Sequence, residues 1–123
     1  MKYTLDTGAL IGLERRDQRA VAFWRTALAH AIPLIAPTVV IAEWWRARSD
    51  VRDAILGALV IEPLDELLAK MAGEAMARVK RSTLADSIVM ASAARSGGVV
   101  LTSDYDDLER LRAHFPNVRV LEV

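Results

Sequence analysis

Short apolar runs alternate with longer stretches of helical spacing along most of the chain. Lys2 to Leu5 reads as a first strand ending at Asp6, and Thr7 opens a helical stretch through Ala9, Leu10 and Leu13. Arg19 to Ala31 forms a second helix, with Val21, Trp24, Ala27 and Leu28 in register, broken by Pro33. Leu34 to Ala36 is a short strand. Pro37 and Thr38, the latter as N-cap, then start a helix that runs through Trp44, Trp45 and Ala47. Ser49 caps another short helix that leads to a strand over Ala58 to Ile61. Pro63 introduces a long helix from about Leu64 to Arg81, whose apolar stripe is Leu64, Leu67, Leu68, Met71, Ala75, Met76 and Val79. The methionines in that stripe read as core or interface filling. Leu84 to Arg95 is helical and stops at Gly97-Gly98. Val99 to Thr102 is a buried-type strand, Asp104 to His114 is helical, and Val118 to Leu121 is the last strand. Strands alternating with helices predict a three-layer α/β/α sandwich on a central parallel sheet. No repeat or linker interrupts the pattern, so residues 1–123 read as one domain.

Composition narrows the chemistry. At 123 residues and 53% hydrophobic side chains, the chain can bury a core of its own. Cysteine is absent, which removes disulfides, thiolate nucleophiles and cysteine-bound zinc and suits a reducing cytoplasm. Met1 runs straight into Lys2-Tyr3-Thr4, so no secretory leader is expected, and no apolar run approaches the roughly 20 residues of a membrane span. Sixteen basic and sixteen acidic side chains leave no net charge, which weighs against a nucleic-acid substrate, since such binders often carry a basic excess. Local basic clusters exist at Arg15-Arg16, Arg46 to Arg52 and Lys80-Arg81. Solvated helix faces account for each cluster equally well.

In a parallel sheet, ligands bind beyond the carboxyl ends of the strands. Asp6 and Asp104 follow two predicted strands, so they share that edge. Helices run back antiparallel, which brings their N-termini there too, and Asp86 falls in a first turn. Glu43 lies about five residues beyond Thr38, roughly 7.5 Å along the helix. Each acid also has a purely structural reading as a cap or helix-dipole partner. Glu43 resists it, because a charge between Val39-Val40-Ile41-Ala42 and Trp44-Trp45 sits in a run that wants burial, although Arg46 or Arg48 could pair with it. Four neighbouring carboxylates repel one another unless a cation neutralises them, and oxygen ligands suit Mg²⁺ or Mn²⁺. His30 precedes a proline break and His114 ends a helix, so neither marks a nucleophile–base pair.

At these residues the sequence resembles the PIN-domain family, specifically the VapC-type toxins of prokaryotic toxin–antitoxin pairs. The matching stretches are Leu5-Asp6-Thr7-Gly8-Ala9-Leu10-Ile11, Ala42-Glu43-Trp44-Trp45-Arg46, Ala85-Asp86-Ser87 with Ala91 and Ala94, and Leu101-Thr102-Ser103-Asp104 with Asp107-Leu108. Each is weak alone; their order and spacing cover essentially the whole chain. The resemblance implies a Mg²⁺- or Mn²⁺-dependent endoribonuclease in which Asp6, Glu43, Asp86 and Asp104 bind metal and orient the attacking water. Thr102 or Ser103 would support the site by hydrogen bonding, Asp107 would act behind it or cap the last helix, and Asp106 is less defined. Arg15 and Arg46 would contact substrate phosphate or form structural ion pairs. It also implies a homodimer and a cognate antitoxin that covers the acidic groove, with Trp24, Trp44 and Trp45 as contacts or, for at least one of them, as core packing. One departure is Ser87, where many relatives carry alanine.

Two other readings compete. A non-catalytic PIN-like module would bind a protein partner, a role that does not need all four acids. A phosphoacceptor regulatory domain also gathers acids at a strand edge, but it wants a lysine shortly after a late strand. Ser103-Asp104 follows one late strand here and the C-terminus follows the other.

Overall fold

The computed structural model describes residues 1–123. Its elements in chain order are β1 (Tyr3–Leu5), α1 (Thr7–Glu14), α2 (Gln18–Ala29), β2 (Leu34–Pro37), α3 (Thr38–Trp44), α4 (Asp50–Gly57), β3 (Val60–Glu62), α5 (Glu66–Arg78), α6 (Leu84–Ser96), β4 (Val99–Thr102), α7 (Tyr105–Leu111) and β5 (Arg119–Glu122). The five strands form one sheet in the order β3-β2-β1-β4-β5. Every pairing is parallel, with Tyr3 opposite both Leu34 and Val99. Right-handed crossovers explain the layers. The chain steps one way along the sheet from β1 to β3, then crosses back to β4 and β5. Helix α1 packs on α2, α3 and α4, while α6 packs on α5 and α7. This is the three-layer α/β/α arrangement that the apolar pattern predicts.

The central strands read as continuous apolar runs because both faces are covered. All of β1, β2 and β4 is buried. Helix α6 lies over β1, β2 and β4 and buries Ser87 through Ala93 without interruption. Thr83 caps its first turn and Gly97, at φ 67°, ends it in the left-handed region that glycine enters without strain.

Three local expectations change. Helix α3 ends at Trp44, not Ala47, because Trp45 turns extended, and its cap position is Pro37, so Thr38 is the first helical residue and caps nothing. Helix α5 is shorter than Leu64 to Arg81, since the Asp65 carboxylate accepts the Leu68 N–H and fixes the start at Glu66. Its buried stripe is Leu68, Ala72 and Ala75, while Leu64, Leu67 and Met76 stay exposed because α5 covers only α6 and the sheet ends at β3.

Ser87 is fully buried and its hydroxyl has no hydrogen-bond partner. A buried hydroxyl without a partner costs about 1–3 kcal/mol of desolvation. Ser87→Ala is therefore expected to raise unfolding stability by ~1 kcal/mol in urea titrations; a loss of that size would mean the hydroxyl is satisfied.

Candidate metal centre

The strand order reverses between β1 and β4, and chain geometry opens a crevice beyond their carboxyl ends. Asp6 leaves β1 in extended conformation and caps α1, with its Oδ1 accepting the Ala9 N–H at 2.8 Å. Its Oδ2 accepts the Thr102 hydroxyl from the end of β4. The same Thr102 oxygen accepts the Asp104 N–H at 2.8 Å. One buried threonine thus joins the two carboxylate-bearing strand ends. Asp104 occupies the cap position of α7 but makes no capping bond, which leaves its carboxylate free.

Asp86 stands in the first turn of α6, where Thr83 Oγ1 accepts its N–H at 3.2 Å. Glu43 is exposed, contrary to the expectation of a charge forced into a buried run. Helical spacing explains this: Val40 and Trp44 are buried, while Val39 and Glu43, four residues apart, share the side of α3 that lines the cleft. The expected alternative partners are engaged elsewhere, Arg48 with Asp53 and Arg46 with the Trp45 carbonyl. Glu43 instead accepts the Thr7 hydroxyl at 2.6 Å.

Asp6, Glu43, Asp86, Asp104 and Asp107 all line one cleft of about 810 Å³, together with Thr7, Gly8, Thr83 and Ser103. Arg46 is its one cationic lining residue. Burial pushes the Asp6 carboxyl up to about 6, against the Thr102 and Ala9 bonds, with Asp104 and Asp86 adding repulsion. Burial also raises Asp86, helped by Asp107, Asp104 and Glu43. No three Asp, Glu or His side chains converge closely enough to enclose a metal ion. The donor set nonetheless fits a hard divalent cation. Mg²⁺ keeps several waters and needs only one or two direct carboxylates, and the mutual repulsion of these acids is what a cation relieves.

Asp107 pairs with Arg110 at 2.7 Å, and Asp106 lies outside the cleft. Arg15 is exposed at the C-terminal end of α1, makes no ion pair and does not line the cleft. Trp44 is buried and donates to Glu14 at 3.1 Å, whereas Trp24 and Trp45 are partly exposed. Sequence reasoning missed Thr7. The available signal was a hydroxyl in the first helical turn beside an aspartate that already served as the cap.

The Asp6 shift fixes the sign of a pH effect in metal-free protein. Its folded pKa lies above the unfolded value, so its contribution is fully present below about pH 4 and is lost as pH rises through about 6. Chelator-treated protein should lose ~3 kcal/mol of unfolding stability across that window from this group. Asp6→Asn should flatten the profile; an unchanged slope would place the shift elsewhere.

The family model described as PIN domain matches residues 3–113. No curated protein sequence matches the chain significantly. Among solved structures, VapBC2 from Rickettsia felis, bound to a DNA fragment from its promoter, superposes with a TM-score of 0.79 at 14% identity, covering 100% of this chain and 99% of that one. DNA-bound VapBC from Salmonella typhimurium gives 0.77 at 17% identity, over 99% and 98% of the two chains. FitAcB from Neisseria gonorrhoeae gives 0.66 at 18% identity, over 97% and 96%. These likenesses share the fold. With its family model spanning nearly the whole length and its acids gathered at the switch point, the chain belongs to the PIN domain family.

Proposed function

We propose that the chain is a Mg²⁺- or Mn²⁺-dependent endoribonuclease, the toxin of a VapC-type toxin–antitoxin pair. The observation that carries this reading is the shared cleft of Asp6, Glu43, Asp86 and Asp104 at the sheet's switch point. The four carboxylates would hold the cation, one or two directly and the others through its waters, and would orient a water for attack on phosphorus. When bound, such an ion would lower the pKa of its water and polarise the phosphoryl oxygen. Thr102 fixes Asp6, and Ser103 and Asp107 flank the opening. Arg46 is the cleft residue placed to meet a phosphate. Single-stranded RNA suits an open cleft, because unstacked bases can splay into it. The absence of cysteine fits a cytoplasmic setting, and no helix is long and apolar enough to cross a membrane.

The partner reading has its own support. An apolar groove of about 660 Å³ between α2 and α4 is lined by Leu13, Val21, Trp24, Val51 and Ile55, with Arg16 and Arg25 at its rim. It suits an amphipathic antitoxin segment with acidic flanks. Exposed Val60, Ile61, Leu64 and Leu67 form an apolar edge that fits a homodimer. Similar solved structures include VapBC2, FitAB and VapBC, each bound to DNA. A non-catalytic partner-binding module keeps one observation in its favour, the lack of three converging acids.

RNA incubated with the protein should be cut in Mg²⁺ or Mn²⁺ and stay whole in EDTA. Asp6→Asn and Asp86→Asn should each slow cleavage about 100-fold or more. Cleavage that persists in EDTA would remove the metal mechanism; intact RNA with no divalent-ion binding would leave the binding-module reading. For the partner, Trp24→Ala should abolish co-purification with the product of a neighbouring antitoxin gene, and unchanged co-purification would move the contact off this groove.

A further inference from the structure

Three consecutive residues at the start of α1 tie it to two other walls of the cleft. Asp6 holds the end of β4 through Thr102. Gly8 admits the following loop, since a Cβ there would lie 1.8 Å from Ser103 Oγ. Thr7, between them, reaches a third element. Its hydroxyl donates to Glu43 Oε1 at 2.6 Å, across 36 residues of chain.

That bond is the only hydrogen bond the Glu43 side chain makes. Glu43 is exposed on α3, so burial does not fix its flexible stem. The Thr7 hydroxyl has no local duty either, because Asp6 already caps α1. A short hydroxyl–carboxylate bond is charge-assisted and directional, and it consumes one oxygen while leaving the other open. We propose that Thr7 is a positioning residue that holds the Glu43 carboxylate at the cleft with Oε2 available to a divalent cation or its water shell. The proposal rests on the metal-site reading above for its consequence, but not for its geometry. Outer partners of this kind commonly govern metal affinity.

Two measurements test it separately. In metal-free protein labelled at glutamate Cδ, the Glu43 carboxyl resonance should move toward the value of a solvated glutamate in Thr7→Val and stay near wild type in Thr7→Ser. Free Mn²⁺ measured by electron paramagnetic resonance should then report about 10-fold weaker binding in Thr7→Val, with Thr7→Ser close to wild type. In a Glu43→Gln background, Thr7→Val should weaken binding little further. An unmoved Glu43 resonance, equal Mn²⁺ affinity in Thr7→Val, or the same loss in the Glu43→Gln background would overturn the proposal. A wild-type protein that binds no Mn²⁺ would instead defeat the metal-site reading, and the resonance would still decide whether Thr7 orients Glu43.

Discussion

The Asp6 carboxylate ties the end of β1 to the first turn of α1 and to the end of β4 while itself buried. Parallel strands place their carboxyl ends side by side, but a crevice keeps its shape only if those ends are fixed to each other. Thr102 does this with a single oxygen, donating to Asp6 and accepting from the Asp104 backbone. The rest of the cleft is assembled around that junction. Helix α6 brings Asp86 by its first turn, and α3 brings Glu43 by its cleft-facing side.

This arrangement works against stability. Burial and neighbouring acids raise both Asp6 and Asp86, so the folded protein gathers negative charge where it is least well solvated. Away from the cleft, several carboxylates are matched with cations: Glu14 with Arg52, Glu62 and Asp65 with Arg95. Inside it, Arg46 bonds a backbone carbonyl and the acids have no ion pair beyond that of Asp107. Residues held in such an unfavourable state are a mark of a functional site. The overall neutrality of the chain hides this local imbalance.

Much of the fold was legible in the sequence because apolar runs over β1, β2 and β4 and the breaks at Pro33, Pro63 and Gly97 are local signals. The meeting of Asp6, Asp86 and Asp104 followed from parallel topology and helix direction alone. Glu43 lines the cleft with them, but not as a charge forced into a buried run, since its helix turns that residue to the cleft and not into the core. Its true partner, Thr7, depends on how α1 and α3 pack, which no linear pattern encodes. The same holds for Leu64 and Leu67: helical periodicity marks them as apolar, but only the position of β3 at the sheet edge leaves them uncovered. Chain ends of α3 and α5 shifted because Trp45 and Asp65 impose local geometry that hydrophobic spacing does not carry.

The central claim is that the acids at the β1–β4 crevice form one divalent-cation site. Anomalous diffraction from crystals soaked in Mn²⁺ tests it most directly. The account predicts a peak in the cleft, within about 2.2 Å of at least one carboxylate oxygen of Asp6, Asp86 or Asp104, as direct hard-cation coordination requires. A peak on the adjoining surface at Asp106 and Glu122 with no oxygen of Asp6, Asp86 or Asp104 in coordination distance, or none at saturating Mn²⁺, would contradict it.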